Sequence, residues 1–176
     1  MKKSITVFGS ARLSKDSEFY KQTYELCKVL AQNGYSITTG GGPGIMQAAN
    51  KAAYEVGGVE SIGINIKLPF EQEINPYCTQ SYEFDDLALR KNALMQNKII
   101  IVCAGGFGTL DELFEVLTLT QTKLKEYKII LYNESFFKPL LDFFSERLLH
   151  YSLIDQNSLK IFSVANTPKE VLDLII

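Results

Sequence analysis

The sequence predicts an α/β fold, with a mainly parallel sheet of about seven strands and helices on both faces. Three observations predict it. Short apolar runs alternate with longer stretches whose apolar residues recur at helical spacing. The run Ile99-Ile100-Ile101-Val102 is apolar without alternation, as in a central parallel strand covered on both sides. Three apolar runs lead straight into glycine: Phe8 into GSAR, Thr39 into GGGPG and Cys103 into AGGFGT.

The first strand is Ser4 to Phe8. The helix after it carries Phe19, Tyr20, Thr23, Leu26, Cys27 and Leu30 at helical spacing, and Gly34 suits its stop. YSITT is the second strand; beyond the glycine cluster, IMQAANKAAYEVGG reads as a helix ending in glycine. SIGINI, from Ser61 to Ile66, is the third strand and YCTQSYEF the fourth. LALRKNALMQN is a helix, KIIIVC the fifth strand, LDELFEVLTLTQTKL a helix and YKIILY the sixth strand. A helix from about Ser135 to Leu149, the strand KIFSV and a closing helix opened by Thr167-Pro168 complete the order. No repeat, low-complexity stretch or linker divides residues 1–176, so a single domain is expected. The irregular stretch KLPFEQEINP, 67–76, reads as a loop over a site.

Composition narrows the function. A hydrophobic share of 46% supplies a core, and a net charge of -2 argues against a large basic face for a nucleic acid polymer or an acidic membrane. Cys27, Cys78 and Cys103 stand far apart, and with His150 they form no recognisable metal-binding pattern. Their odd number suits a reducing cytoplasm. The opening apolar run, Ile5 to Phe8, is too short for a signal peptide or a membrane span.

In a parallel sheet the three glycine turns lie on one edge, where open α/β sheets bind ligands. Glycine leaves backbone N–H groups uncovered, and a helix start behind it adds partial positive charge, so each turn is a potential phosphate cradle. Glycine is also common after strands for conformational reasons alone. The chain has no GxxxxGK[ST] loop, no GxGxxG in register after the first strand and no GxSxG elbow. Mononucleotides or sugar phosphates remain as ligands.

Two placements of charge stand out. Thr109 and Glu112 form T-x-x-E, read either as a capping box or as a carboxylate kept at the ligand edge to hold ribose hydroxyls or activate water. Arg90 and Lys91 interrupt the apolar face of their helix, either snorkelling to water or, for Arg90, pointing into the crevice toward an anion. The following helix is apolar nearly all round, at Leu110, Leu113, Phe114, Val116, Leu117 and Leu119. Either a second copy of the chain or another helix of the same chain must cover it.

GGGPGIMQAAN, RKNALM and AGGFGTLDELFE together resemble the LOG (Lonely Guy) family of cytokinin riboside 5'-monophosphate phosphoribohydrolases and their bacterial relatives, once mislabelled lysine decarboxylases. The resemblance runs from VFGSAR to about Lys125, with Ala104 in place of the proline of the family's PGGxGTxxE. It implies a Rossmann-like sheet, a homodimer or higher homo-oligomer, and a nucleoside 5'-monophosphate ligand. Gly105, Gly106, Gly108 and Thr109 would hold the 5'-phosphate; Gly41, Gly42 and Gly44, Ser10 and Arg12, and Lys91 complete the nucleotide-binding set. The essential arginine and glutamate map onto Arg90 and Glu112. The implied reaction is hydrolysis of the N-glycosidic bond to free base and ribose 5-phosphate, without metal or organic cofactor and without decarboxylation. Beside a helix N-terminus Glu112 is expected to stay ionised, in a base or electrostatic role. A nucleotide or molybdenum cofactor carrier without turnover is the alternative, since one fold serves many functions.

Overall fold

A computed structural model describes residues 3–67 and 73–176. The expected loop over the site falls in part on 68–72, outside the described residues. Among the described residues there are seven strands: β1 (Ser4–Phe8), β2 (Ser36–Thr39), β3 (Ser61–Ile66), β4 (Gln80–Phe84), β5 (Ile99–Val102), β6 (Lys128–Tyr132) and β7 (Phe162–Ala165). They form one sheet in the order β4-β3-β2-β1-β5-β6-β7, and every neighbouring pair is parallel. The described residues also form six α-helices: α1 (Glu18–Gln32), α2 (Ile45–Val56), α3 (Leu87–Leu94), α4 (Phe107–Gln121), α5 (Glu134–Phe143) and α6 (Pro168–Ile175).

Period-two alternation divides the core into two layers. Ile5 and Val7 of β1, Ile101 of β5, and Ile130 and Tyr132 of β6 pack with α1, α2 and α6. Their strand neighbours Phe8, Ile100, Val102, Ile129 and Leu131 turn the other way and pack with α3, α4 and α5. The strand order explains the split. Successive crossovers run outward from β1 through β2 and β3 to β4, then the chain returns to β5 beside β1 and runs outward the other way, and right-handed connections put helices of opposite direction on opposite faces.

Local chemistry moves three boundaries. The helix expected to reach Asn97 ends at Leu94. There the Leu94 carbonyl accepts from Thr6 Oγ1 at 2.8 Å, and Asn97 Nδ2 donates to the hydroxyls of Thr6 and Thr38, so buried threonines of β1 and β2 hold the chain out of helix. The helix expected over 135–149 divides into α5, which contains Pro139, and a π-helical segment, Phe144–Leu149. Helix α4 begins at Phe107, three residues before the expected start, with Gly106 as its N-cap. The closing helix starts as expected, with Thr167 Oγ1 accepting from the Glu170 N–H at 3.2 Å and Pro168 in the first turn.

Candidate nucleotide site

A cleft of about 650 Å³ opens at the C-terminal ends of β1 and β2 and at the start of α4. It lies at the point where the strand order reverses, between β1 and β5. The turns around it are tied together by backbone: Ser10 N–H donates to the Ala104 carbonyl at 3.0 Å, and Ile45 N–H to the Ser10 carbonyl at 2.8 Å.

The two large glycine motifs do different work. In the second, the α4 N–H groups from Phe107 to Thr109 have no acceptor within the helix, and Gly106 caps it without a side-chain bond. These donors, at the positive end of the helix dipole, line the cleft. Gly105 lies behind it, so close to Thr109 that an added Cβ would come within 2.2 Å of its Oγ1. In the first motif the polar groups are consumed internally. Gly41 N–H donates to Thr39 Oγ1 at 2.9 Å, while the Gly41 and Gly42 carbonyls accept from Asn75 Nδ2 at 3.1 and 3.0 Å. Gly41 and Gly44 take positive φ, +73° and +66°, and Gly44 packs against the Ser10–Ala11 backbone.

The floor of the cleft carries the charges. Asp86 caps α3 by accepting from the Leu89 N–H at 2.8 Å, and Arg90 one turn later reaches inward. Its Nε donates to the Ile64 carbonyl and its Nη1 to Glu112 Oε1, both at 3.1 Å. The side chains of Arg90 and Glu112 are only 13% and 10% exposed, so this is a largely desolvated ion pair. The snorkelling alternative for Arg90 is thereby set aside. The capping-box reading falls as well, because Glu112 lies in the second turn of α4 and is bonded across to α3.

The expectation that Glu112 stays ionised is corrected too. Burial pushes its carboxyl up to about 7, although Arg90 pulls in the other direction. The position in the second turn weakens the helix dipole, which acts mainly on the first. Lys91 faces away from the cleft, with Nζ 3.0 Å from Asp111 Oδ2 and 2.7 Å from Glu115 Oε2, binding α3 to the exposed side of α4. Cys103 is buried and its thiol is pushed up to about 12, so it is a core residue and no nucleophile.

Of the residues singled out from sequence, Ser10, Arg12, Arg90, Gly106, Gly108, Thr109 and Glu112 line the cleft. Gly41, Gly42, Gly44, Lys91 and Gly105 stand behind or beside it. Gly40, Met46, Ile66 and Phe107 line it without having been anticipated. Gly40 was visible as the first glycine of its run, whereas the apolar three carry no sequence signal for a site. Among the described residues no group of His, Cys, Asp and Glu is arranged to hold a metal ion. No described helix is long and apolar enough to cross a membrane.

Comparison with known proteins gives a family and a fold. A family model described as "Possible lysine decarboxylase" matches residues 46–175. The probable cytokinin riboside 5'-monophosphate phosphoribohydrolase LOGL6 of Oryza sativa subsp. japonica is 29% identical over 173 residues, covering 96% of this chain and 68% of that protein. The X-ray structure of TM1055 superimposes with a TM-score of 0.75 at 24% identity, over 98% of each chain. The molybdenum cofactor binding protein of Rippkaea orientalis gives 0.72 at 23% identity, over 99% of this chain and 96% of that one. At that identity the two structures establish a shared fold.

Proposed function

The chain belongs to the LOG family, whose model carries the description "Possible lysine decarboxylase", and from that premise we propose that it hydrolyses the N-glycosidic bond of a nucleoside 5'-monophosphate. The substrate would be AMP or an N6-modified AMP of the cytokinin riboside type, and the products free base and ribose 5-phosphate. The observation that carries this reading is the buried Arg90–Glu112 pair beside the open first turn of α4.

The 5'-phosphate would sit on the α4 N–H groups, leaving the sugar over the ion pair. Bond cleavage creates an oxocarbenium-like sugar. The Glu112 carboxylate stabilises that cation, contacts ribose hydroxyls and orients the water. As the water attacks C1', its proton passes to Glu112 and the glycosidic electron pair leaves with the base, which takes up that proton from Glu112, directly or through solvent, and so restores the carboxylate. A carboxyl titrating at about 7 is matched to this task near neutral pH. Arg90 holds the phosphate or ribose and assists base departure.

The description "lysine decarboxylase" finds no support in the cleft, whose cation and acid are paired with each other. A carrier without turnover needs the phosphate cradle but has no use for a buried carboxylate, whose desolvation is costly. Leu87, Leu89, Phe107 and Phe114 are exposed on α3 and α4, and these apolar side chains support a homodimer or higher homo-oligomer. The free thiols Cys27, Cys78 and Cys103 suit a cytoplasmic setting. The test is incubation with AMP and N6-modified AMP, measuring base and ribose 5-phosphate. Release that is lost in Glu112→Gln supports the hydrolase; AMP binding without release from any nucleotide replaces it with the carrier.

A further inference from the structure

Gly40 is the one glycine of the GGGPG run that lines the cleft. Gly41 and Gly44 need glycine for their positive φ, but Gly40 lies outside that region, so an alanine there would meet no backbone strain. What excludes a side chain is space. A Cβ at Gly40 would lie 2.3 Å from Arg90 Nη2, 2.7 Å from Met46 Sδ and 3.5 Å from Arg90 Cζ. The guanidinium is thus held by the Ile64 carbonyl at Nε, by Glu112 at Nη1, and by the bare backbone of Gly40 beside Nη2.

We propose that Gly40 is a positioning residue: the gap it leaves is the seat of the Arg90 guanidinium and sets that group's distance to Glu112 and to the substrate. The catalytic part of this inference rests on the hydrolase reading above; the seating of Arg90 does not. Restoring ordinary contact, 3.4 Å in place of 2.3 Å, would drive Nη2 about 1 Å from its place. A displacement of that size at a reacting centre is worth on the order of 100-fold in rate.

The test is a double-mutant cycle of Gly40→Ala with Arg90→Lys, assayed by base release, with the Arg90 Nε–H and the Glu112 carboxyl followed by NMR. In the wild-type background Gly40→Ala lowers kcat by about 100-fold. In the Arg90→Lys background, where no Nη2 remains to be struck, the added cost falls below about 3-fold. The Arg90 Nε–H resonance shifts, and Glu112 titrates higher as its arginine retreats. Equal cost in both backgrounds, or unchanged Arg90 and Glu112 signals in Gly40→Ala, overturns the proposal. The NMR arm decides the seating even if the wild-type protein releases no base, an outcome that removes the hydrolase reading and leaves the geometry to be judged separately. Should Gly40→Ala fail to fold, folding of the Gly40→Ala/Arg90→Lys chain supports the seat. Failure of that chain as well assigns the space to Met46 and overturns it.

Discussion

Replacing Glu112 by Gln should stabilise the protein while abolishing its proposed activity. Glu112 is buried, and burial holds its carboxyl near 7 against an ordinary value of 4.5. The folded state therefore binds this proton more tightly than the unfolded chain does, and stability falls as pH rises from about 4.5 to about 7. Each pH unit is worth about 1.4 kcal/mol, so ionisation of Glu112 costs the fold about 3 kcal/mol at pH 8. Glutamine keeps the shape and cannot ionise. Urea melts of wild type and Glu112→Gln should nearly coincide at pH 4 and separate by about 3 kcal/mol at pH 8 in favour of the variant. For a chain of this length that corresponds to a Tm gain of about 10 °C. A variant less stable than wild type at pH 8 would refute the reasoning, since the attraction of Arg90 would then outweigh the desolvation of its partner.

Hydrolysis by the wild-type protein should rise with pH through about 7 as Glu112 loses its proton, and a flat kcat profile from pH 5 to pH 8 would deny it the role of base. Asn75→Ala removes the shared donor to the Gly41, Gly42 and Asn50 oxygens and leaves buried acceptors unpaired, so urea melts should show a loss of about 2–3 kcal/mol. Gly105→Ala pushes on Thr109 behind the phosphate cradle and should weaken AMP binding by about 10-fold while leaving adenosine binding unchanged, as titration calorimetry would show. Lys91→Met should cost less than about 1 kcal/mol, because Asp111 and Glu115 on the other side of its ion pairs are open to solvent and salt.

Much of the fold was legible because it depends on local periodicity. The alternation of Ile5, Val7 and Phe8, and of Ile99 through Val102, announces two covered faces before any tertiary contact is known. The boundaries were less legible where glycine or long-range bonding intervenes. Gly106 and Gly108 look like loop and are the cap and first turn of α4, which is why Thr109 and Glu112 resembled a capping box. The early end of α3 depends on threonines in β1 and β2 about 60 to 90 residues away in sequence. Part of the cleft's lining was legible, a glycine-rich helix start with an arginine and an acid, yet not its geometry. Nothing in the spacing of Arg90 and Glu112 says that they touch, and nothing in GGGPG says which glycine is wanted for its φ and which for its emptiness.

The reversal of strand order has a further consequence for how the site comes into being. Arg90 is carried by the last helix of the half that runs from β1 out to β4, and Glu112 by the first helix of the half that runs from β5 out to β7. The arginine precedes its acid by 22 residues, and β5, which lies between them in sequence, pairs with β1. Each half owns one charge, and a fragment comprising either half holds no pair at all. Both core layers cross the seam between β1 and β5, so loosening it disturbs the core and at the same time pulls the cation from the acid. Under the proposed chemistry, a chain in which the two halves fail to meet would lack the paired charges and be silent.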